Sequence, residues 1–552
     1  MHDYFQYKVG GDNPHVGRLF TTSVEFNPRS SITSQIRRKL EIVQSGKSHA
    51  HEEDIPGTVN LQAVEGDDTA YGQALFPVPA DDPNDPLQWS NFKKTMILLI
   101  CAFYSFLGNS ALLGPSVYIG IYSKEFGISP TDASGLVSYP NLAFGFGSLL
   151  LVPLYLKIGR RPVMLMSLLC FLGGLIGASQ ATTFNGLMIA RVFHGLGSGV
   201  CEALPVQLVN DIFFLHERGK RIGYYTVALC LGATGPFYAG YMLAGGYSWR
   251  LFFYVETSPS SLSADAKDEG VQHVEEEASN VPARKSFLST LKPWSQIDHE
   301  AEFFLTMLRP FTYFTVPAVF WVISTYGIYI GLGALAFNYT FPLKIVAPPY
   351  NWPQTSAGLI ALANGSGYIL AIPLTFTSDR LAAHLTRRNN GIREAEMRLP
   401  VLLPAMIIAP AGLILYGLTA QYNAHWFGYM AGVAMVNWGA YFYFSFTLAY
   451  AVDSYNANTS EMLIAMNLGK QAISFGMGVK LLDWILERGF AVVIAGIFGS
   501  VLLANNLALG IFWFYGKRIR IVTSRTWLGG WHKKTAEGGG VDALAEFDFI
   551  IV

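Results

Sequence analysis

The chain has 552 residues, 51% of them apolar and 14% aromatic but only 14% charged, against about 25% charged in soluble globular proteins. A net charge of -1 provides no bulk field for nucleic acid or another polyanion. The four cysteines, Cys101, Cys170, Cys201 and Cys230, lie in apolar runs with no CxxC pairing and no histidine at metal spacing, so neither a metal centre nor a cofactor is expected. These features point to an all-α membrane protein.

Residues 1–92 are polar and mixed in charge, as expected of a disordered cytoplasmic tail that cannot bury enough surface to fold alone. They lack the pattern of a cleaved leader, so insertion is expected to begin at the first span. Trp89 marks an interface, and Lys93 and Lys94 belong in the cytoplasm. A spanning helix needs about 20 mainly apolar residues. Eleven runs qualify: 95–118, 133–156, 162–181, 185–208, 223–244, 312–337, 355–376, 399–420, 425–449, 462–483 and 489–515. Small residues recur through them, as expected where helices approach closely in lipid.

Basic residues near span ends set orientation. Lys157, Arg160 and Arg161 follow the second run, and Arg218, Lys220 and Arg221 follow the fourth, all on the side of Lys93. The fifth run therefore ends outside, near Trp249. Yet Arg380, Arg387, Arg388, Arg393 and Arg398 after the seventh run, and Lys517, Arg518 and Arg520 after the last, also require the cytoplasm. One crossing is missing between Trp249 and Arg309. The apolar run Leu251 to Val255 stops after about one turn and falls into the polar segment 257–310.

Pro153-Leu154 before Lys157-Ile158-Gly159-Arg160-Arg161 is echoed by Pro373-Leu374 before Asp379-Arg380, which suggests a duplicated half. With Arg191-Val192-Phe193-His194-Gly195-Leu196-Gly197, Gly232-Ala233-Thr234-Gly235-Pro236 and the entry Asp85-Pro86-Leu87-Gln88-Trp89, the chain resembles the major facilitator superfamily. It is most similar to the fungal drug:proton antiporter group of twelve-span carriers. The resemblance implies a major facilitator fold of two six-helix bundles: 93–256, lacking its sixth span, and 311–516, joined by the 257–310 loop and followed by a cytoplasmic tail at 517–552. It also implies a plasma membrane location and a monomer. Leu156 stands where the family's loop signature has an Asp; the second copy keeps Asp379.

Ionisable side chains at membrane depth cost about 2.5–3.5 kcal/mol on insertion scales, which makes each a functional candidate. Glu202, in the fourth run, is read as a proton-exchanging or cation-binding carboxylate, or else as a structural hydrogen-bonding group. Arg191, three turns away on nearly the same face, is read as its tuning charge. Lys470 is a counter-charge for Glu202 across the halves, or a tie to Asn467. Asp211 and Asp453 are expected to partner Arg218, Lys220 and Arg221. Gly235 and Pro236 form a candidate hinge. Tyr326, Tyr329, Asn364, Asn437 and Tyr441 are candidate substrate-lining residues, and aromatic walls would favour a cationic, partly apolar compound. Asn338-Tyr339-Thr340 matches a glycosylation acceptor beside a span end. With no nucleotide or hydrolase motif, the expectation is a proton-coupled secondary transporter of small amphipathic or cationic compounds, working by efflux, and not an enzyme. The partners are then the substrate, protons and the bilayer. An importer of organic cations or polyamines is one alternative, and a non-transporting product lacking its sixth span is another.

Overall fold

The computed structural model describes residues 51–52, 58–60, 86–265, 303–374, 377–389, 392–454, 459–527 and 529. Two short strands come first, β1 (His51–Glu52) and β2 (Thr58–Asn60). The N-terminal half then runs through α1 (Asn91–Leu113), α2 (Ile119–Phe126), α3 (Pro130–Ile158), α4 (Arg160–Gln180), α5 (Phe184–Ser198), α6 (Val200–Ile212), α7 (Leu215–Gly232), α8 (Gly235–Ala244) and α9 (Trp249–Asp265). The C-terminal half begins with α10 (Phe303–Leu308), α11 (Pro317–Tyr329), α12 (Phe337–Val346), α13 (Ile360–Ala371) and α14 (Thr377–Arg388). After β3 (Ile392–Glu394) come α15 (Leu403–Tyr422), α16 (Phe427–Ser454), α17 (Thr459–Gly478), α18 (Leu481–Arg488) and α19 (Gly499–Arg525).

Local chemistry sets several of these boundaries. Ser90, Ser129 and Thr183 cap α1, α3 and α5 by accepting from the backbone N–H three residues on. Two spans are broken in mid-course: α5 passes to α6 at Gly199, and α7 passes to α8 just before Gly235-Pro236. Gly199 is required by packing. A Cβ there would lie 2.4 Å from the Gly147 carbonyl carbon, so α3 crosses the broken span backbone to backbone.

Nine helical stretches among the described residues are long and apolar enough to cross a membrane. Large apolar side chains such as Leu169, Leu370, Ile407 and Phe514 stand exposed on their outer faces, where hydrocarbon rather than water suits them. α16 and α17 match the expected runs at 425–449 and 462–483 but are not among the nine. α16 is rich in Tyr and Trp, and α17 carries Glu461, Asn467, Lys470 and Gln471, which lowers the hydropathy of each.

The halves meet along α3 and α17, where the Asn141 amide donates to Ser474 Oγ (3.4 Å). Nearby, Ser138 and Tyr339 share a hydrogen bond (2.9 Å), and Thr131 donates to Asp483 (2.9 Å). Gly240 of α8 packs against Gly358 with no side chain between them.

Four parts of the sequence reading change. The stretch after Trp249 does not leave the helix after one turn: α9 continues to Asp265, beyond the expected loop boundary at 257. Its aromatic face explains why. Phe252 stacks on Tyr238 (5.3 Å) and meets Tyr118 edge-on (6.2 Å), and Phe252, Phe253 and Glu256 are all buried. At 1.5 Å per residue its 17 residues still run only about 25 Å, short of the roughly 30 Å hydrocarbon core. The sixth expected run, at 312–337, is shifted: the span starts at Pro317 and continues to Val346. Asn338 is consequently buried inside it and is no surface glycosylation site. The 1–92 segment is not wholly without structure, because β2 pairs antiparallel with β1 and with β3, Thr58 opposite Glu394. Thr58 Oγ1 donates to Glu394 (2.8 Å), a partner that the tail alone does not offer.

Candidate functional site

The break at Gly199 places Glu202 in the first turn of α6, where the helix N-terminus favours a carboxylate. Glu202 is 9% exposed and forms an ion pair with Lys470 of α17, itself 3% exposed. The pair joins the two halves. The Lys470 ammonium lies 5.9 Å from the Phe144 ring centre and 5.7 Å from that of Tyr326, within the range of cation–π attraction. Among the described residues the Glu202 carboxylate meets no hydrogen-bond donor other than this ammonium.

Beside the pair is a cavity of about 30 Å³, bounded by Tyr225, Leu229, Tyr326, Phe444, Met466 and Asn467. It has room for one or two waters and none for an organic compound. Tyr225 donates to the Glu202 backbone carbonyl (3.3 Å), and Tyr326 to the Phe444 carbonyl. Asn467 Nδ2 and Gln471 Oε1, both buried, have no hydrogen-bond partner among the described residues. Asn467 stands three residues before Lys470, on the same face of α17, which is the signal by which the sequence could have marked it as lining. Phe444 ends the aromatic-rich stretch 438–444, which marks it in the sequence, whereas Tyr225 carries no comparable signal.

Arg191 is not part of this arrangement. It is fully buried and spends its guanidinium on backbone carbonyls, donating to Ala111 and Leu112 (2.7 Å each) and Leu136 (3.2 Å), with Phe253 against its face. It ties α1, α3 and α9 to α5. Sharing a helix face with Glu202 does not bring the two together, because eleven residues place them about 16 Å apart along the axis. In this structure the Arg191 guanidinium meets backbone carbonyls rather than Glu202.

Of the other lining candidates, only Tyr326 borders the cavity. The Asn437 amide donates to Asn364 Oδ1 (2.8 Å), while Asn437 Oδ1 accepts from Tyr368 (2.6 Å), so these amides bond each other between α13 and α16. Tyr329 packs on Tyr443 (5.1 Å), and Tyr441 donates to the Gly223 carbonyl (3.5 Å). Gly235 and Pro236 sit at a tight joint: a Cβ on Gly235 would lie 2.5 Å from the Ser110 carbonyl oxygen.

At the end of the molecule that carries Lys157, Gly159 ends α3 with φ +93. The side chains of Arg160, Arg161 and Asp379 lie outside the described residues, as do those of Asp211, Arg218 and Lys220; Arg380 is exposed. Asp453 does not pair with Arg221. Arg398 reaches it at 2.6 Å and Arg393 at 4.0 Å. Arg520 bonds both Glu396 (2.6 Å) and Glu394 (2.8 Å), with Lys517 also on Glu394. Burial would raise the Glu394 carboxyl, but hydrogen bonds from Lys517, Arg520 and Thr58 outweigh it and hold its pKa below the usual value. This network was not foreseen. Its residues lie far apart in sequence, and a charge at a span end looks merely solvated. Among the described residues no cluster of His, Cys, Asp or Glu is placed to hold a metal ion.

Residues 98–479 match the family model of the Major Facilitator Superfamily. The chain is 27% identical over 469 residues to the MFS-type transporter penM of Penicillium rubens, covering 80% of this chain and 88% of that one. It is 26% identical over 460 residues to the MFS transporter cpaT of Aspergillus oryzae, covering 80% and 90%. Among solved structures, the proton:xylose symporter XylE superposes with a TM-score of 0.57 at 14% identity, covering 77% of this chain and 97% of that one.

Proposed function

Because the chain belongs to the Major Facilitator Superfamily and is an integral multi-pass membrane protein of a transporter family, we propose that it is a proton-coupled carrier of small amphipathic or cationic compounds. In this reading it works by alternating access, as an exporter at the plasma membrane. The observation that carries the reading is the Glu202–Lys470 pair, which bridges the halves beside a small cavity. A carboxylate there needs a positive partner. When the halves part, Lys470 is withdrawn and Glu202 must take up a proton or a cation instead. Among the described residues, Cys201, Tyr225 and Tyr326 are the other titratable groups near the pair. Loss of the ion pair on one side of the membrane and its return on the other would couple proton movement to the cycle.

The test is reconstitution of the full chain in liposomes with an imposed pH gradient and tetraphenylphosphonium as cargo. Wild type should dissipate the gradient when cargo is added, and Glu202→Gln should lose at least about tenfold of that coupled flux. Coupled flux that survived Glu202→Gln would remove the carboxylate from the mechanism.

The shortness of α9 favours one other reading, a non-transporting product whose sixth helix is truncated. Sequencing the transcript across the codons for Trp249 to Pro259 separates the two. An in-frame insert of about 20 apolar codons after Val255 would restore a twelve-span carrier. A message that matches the chain as it stands would favour the truncated form.

A further inference from the structure

Three features of the Lys470 site bear on what it binds. The ammonium sits between two aromatic faces, Phe144 at 5.9 Å and Tyr326 at 5.7 Å, and against one carboxylate. Such walls attract a cation and repel an anion. On the other side of the pair the Glu202 carboxylate meets no donor but Lys470 among the described residues, so there is no comparable cradle for an anion. The place of the positive charge is constructed, and the place of the negative charge is simply the Glu202 side chain.

The two charges also belong to different halves, Glu202 on α6 and Lys470 on α17. Any motion that separates α6 from α17 draws the ammonium out together with Tyr326, which belongs to the same half, and leaves the carboxylate on the Phe144 side without its partner. The vacated space is continuous with the cavity beside Tyr225 and Asn467. Asn467 Nδ2, buried and without a partner among the described residues, adds a hydrogen-bond donor one turn from the ammonium position.

We infer that Lys470 is a tethered occupant of an organic-cation site that Glu202 and Phe144 form on the N-terminal half and Tyr326 closes from the C-terminal half, and that the alkylammonium group of the cargo replaces it there. The inference rests on the transport reading above and deepens it. Glu202 then holds one positive partner at a time: Lys470 when the halves are closed, and cargo or a proton when they are open. The site neither binds two cations at once nor stands empty, which makes cargo and proton exclusive at one carboxylate. A polar acceptor on the cargo within reach of Asn467 would complete the fit.

The experiment is a binding titration on the purified full chain in detergent, with n-butylammonium as probe and benzenesulfonate as its anionic counterpart. Removing the internal competitor in Lys470→Met should tighten n-butylammonium binding by about tenfold or more, because the competent fraction of sites rises. Lys470→Arg, which refills the site, should show no gain, and adding Glu202→Gln to Lys470→Met should abolish it. Benzenesulfonate should bind none of these variants more tightly than wild type. Unchanged n-butylammonium affinity in Lys470→Met, or a gain for benzenesulfonate in Glu202→Gln, would overturn the inference; the second result would make Lys470 an anion receptor.

If Lys470→Met does not fold, Lys470→Ala with ethylammonium gives the same answer through thermal unfolding. Ethylammonium should raise the transition of the variant and leave wild type unchanged, and an equal response in both is the adverse result. Coupled flux in wild type without the ammonium gain would sink this inference alone. The ammonium gain without coupled flux would sink the proton-coupled reading and leave the cation site standing.

Discussion

Glu202 and Lys470 meet as a single pair between the halves, whereas at the far end of the C-terminal half Arg520 lies against two carboxylates at once, with Lys517 and Thr58 beside them. Both sites bury charge, but they are constructed for different purposes. The Arg520 cluster fastens the end of α19 to β3 and Glu396 within one half, and every added hydrogen bond there makes the assembly more rigid. The Glu202 pair joins bodies that must part in any alternating-access cycle. A pair with one contact and aromatic walls can be broken and remade, which a saturated network cannot do cheaply. Under the proposed transport cycle, the number of partners around a buried charge separates fastening from gating.

Breaking the comparison begins with Arg520→Ala. The buried Glu396 and the partly buried Glu394 would lose their shared cation, and we expect a loss of about 3–5 kcal/mol, read as a lower thermal transition and reduced yield of folded protein. Glu202→Gln should cost less, about 1–3 kcal/mol, because the neighbouring cavity admits water to the freed ammonium. Equal losses at the two sites in parallel melts would erase the distinction between them.

A smaller effect is expected where the N-terminal segment joins the cluster. Thr58→Val removes one hydrogen bond to a carboxylate, about 1–2 kcal/mol, and should speed amide exchange across β2 and β3 while leaving coupled flux unchanged. The pH response of the cluster has a definite sign. Because the Glu394 pKa is lowered in the folded protein, its contribution is fully present above its ordinary value and is lost as pH falls through the lowered one. Protection of the β2 amides, measured relative to their intrinsic base-catalysed exchange rate, should therefore fall only on strong acidification, and a fall on the alkaline side would contradict the assignment.

The sequence was informative where a rule is local. Apolar run length marked the places of the spans, including α16 and α17, which overall hydropathy alone would pass over. A carboxylate in a run such as that around Glu202 is conspicuous because membrane depth makes it costly. The reading failed where two residues had to be placed in three dimensions. Arg191 and Glu202 share a helix face but not a level, and Asn364 and Asn437 look like lining groups until their mutual hydrogen bond is seen. The polar run after Val255 looked like the end of a helix, yet the aromatic contacts of Phe252 and Phe253 hold the helix beyond it.

By itself, the sequence determined the all-helical membrane architecture, the order of the spans and the presence of a costly buried acid, because each follows from the composition of one continuous stretch. Only the tertiary structure decided which charges meet. Lys470 and Glu202 are separated by nearly half of the chain, and their pairing was one of two readings open for Lys470, whereas Thr58 and Arg520 are separated by most of the chain and gave no sign of meeting. Their pairing depends on how helices from the two halves, and a strand from the N-terminal segment, come to lie side by side. No periodicity within a single segment encodes that.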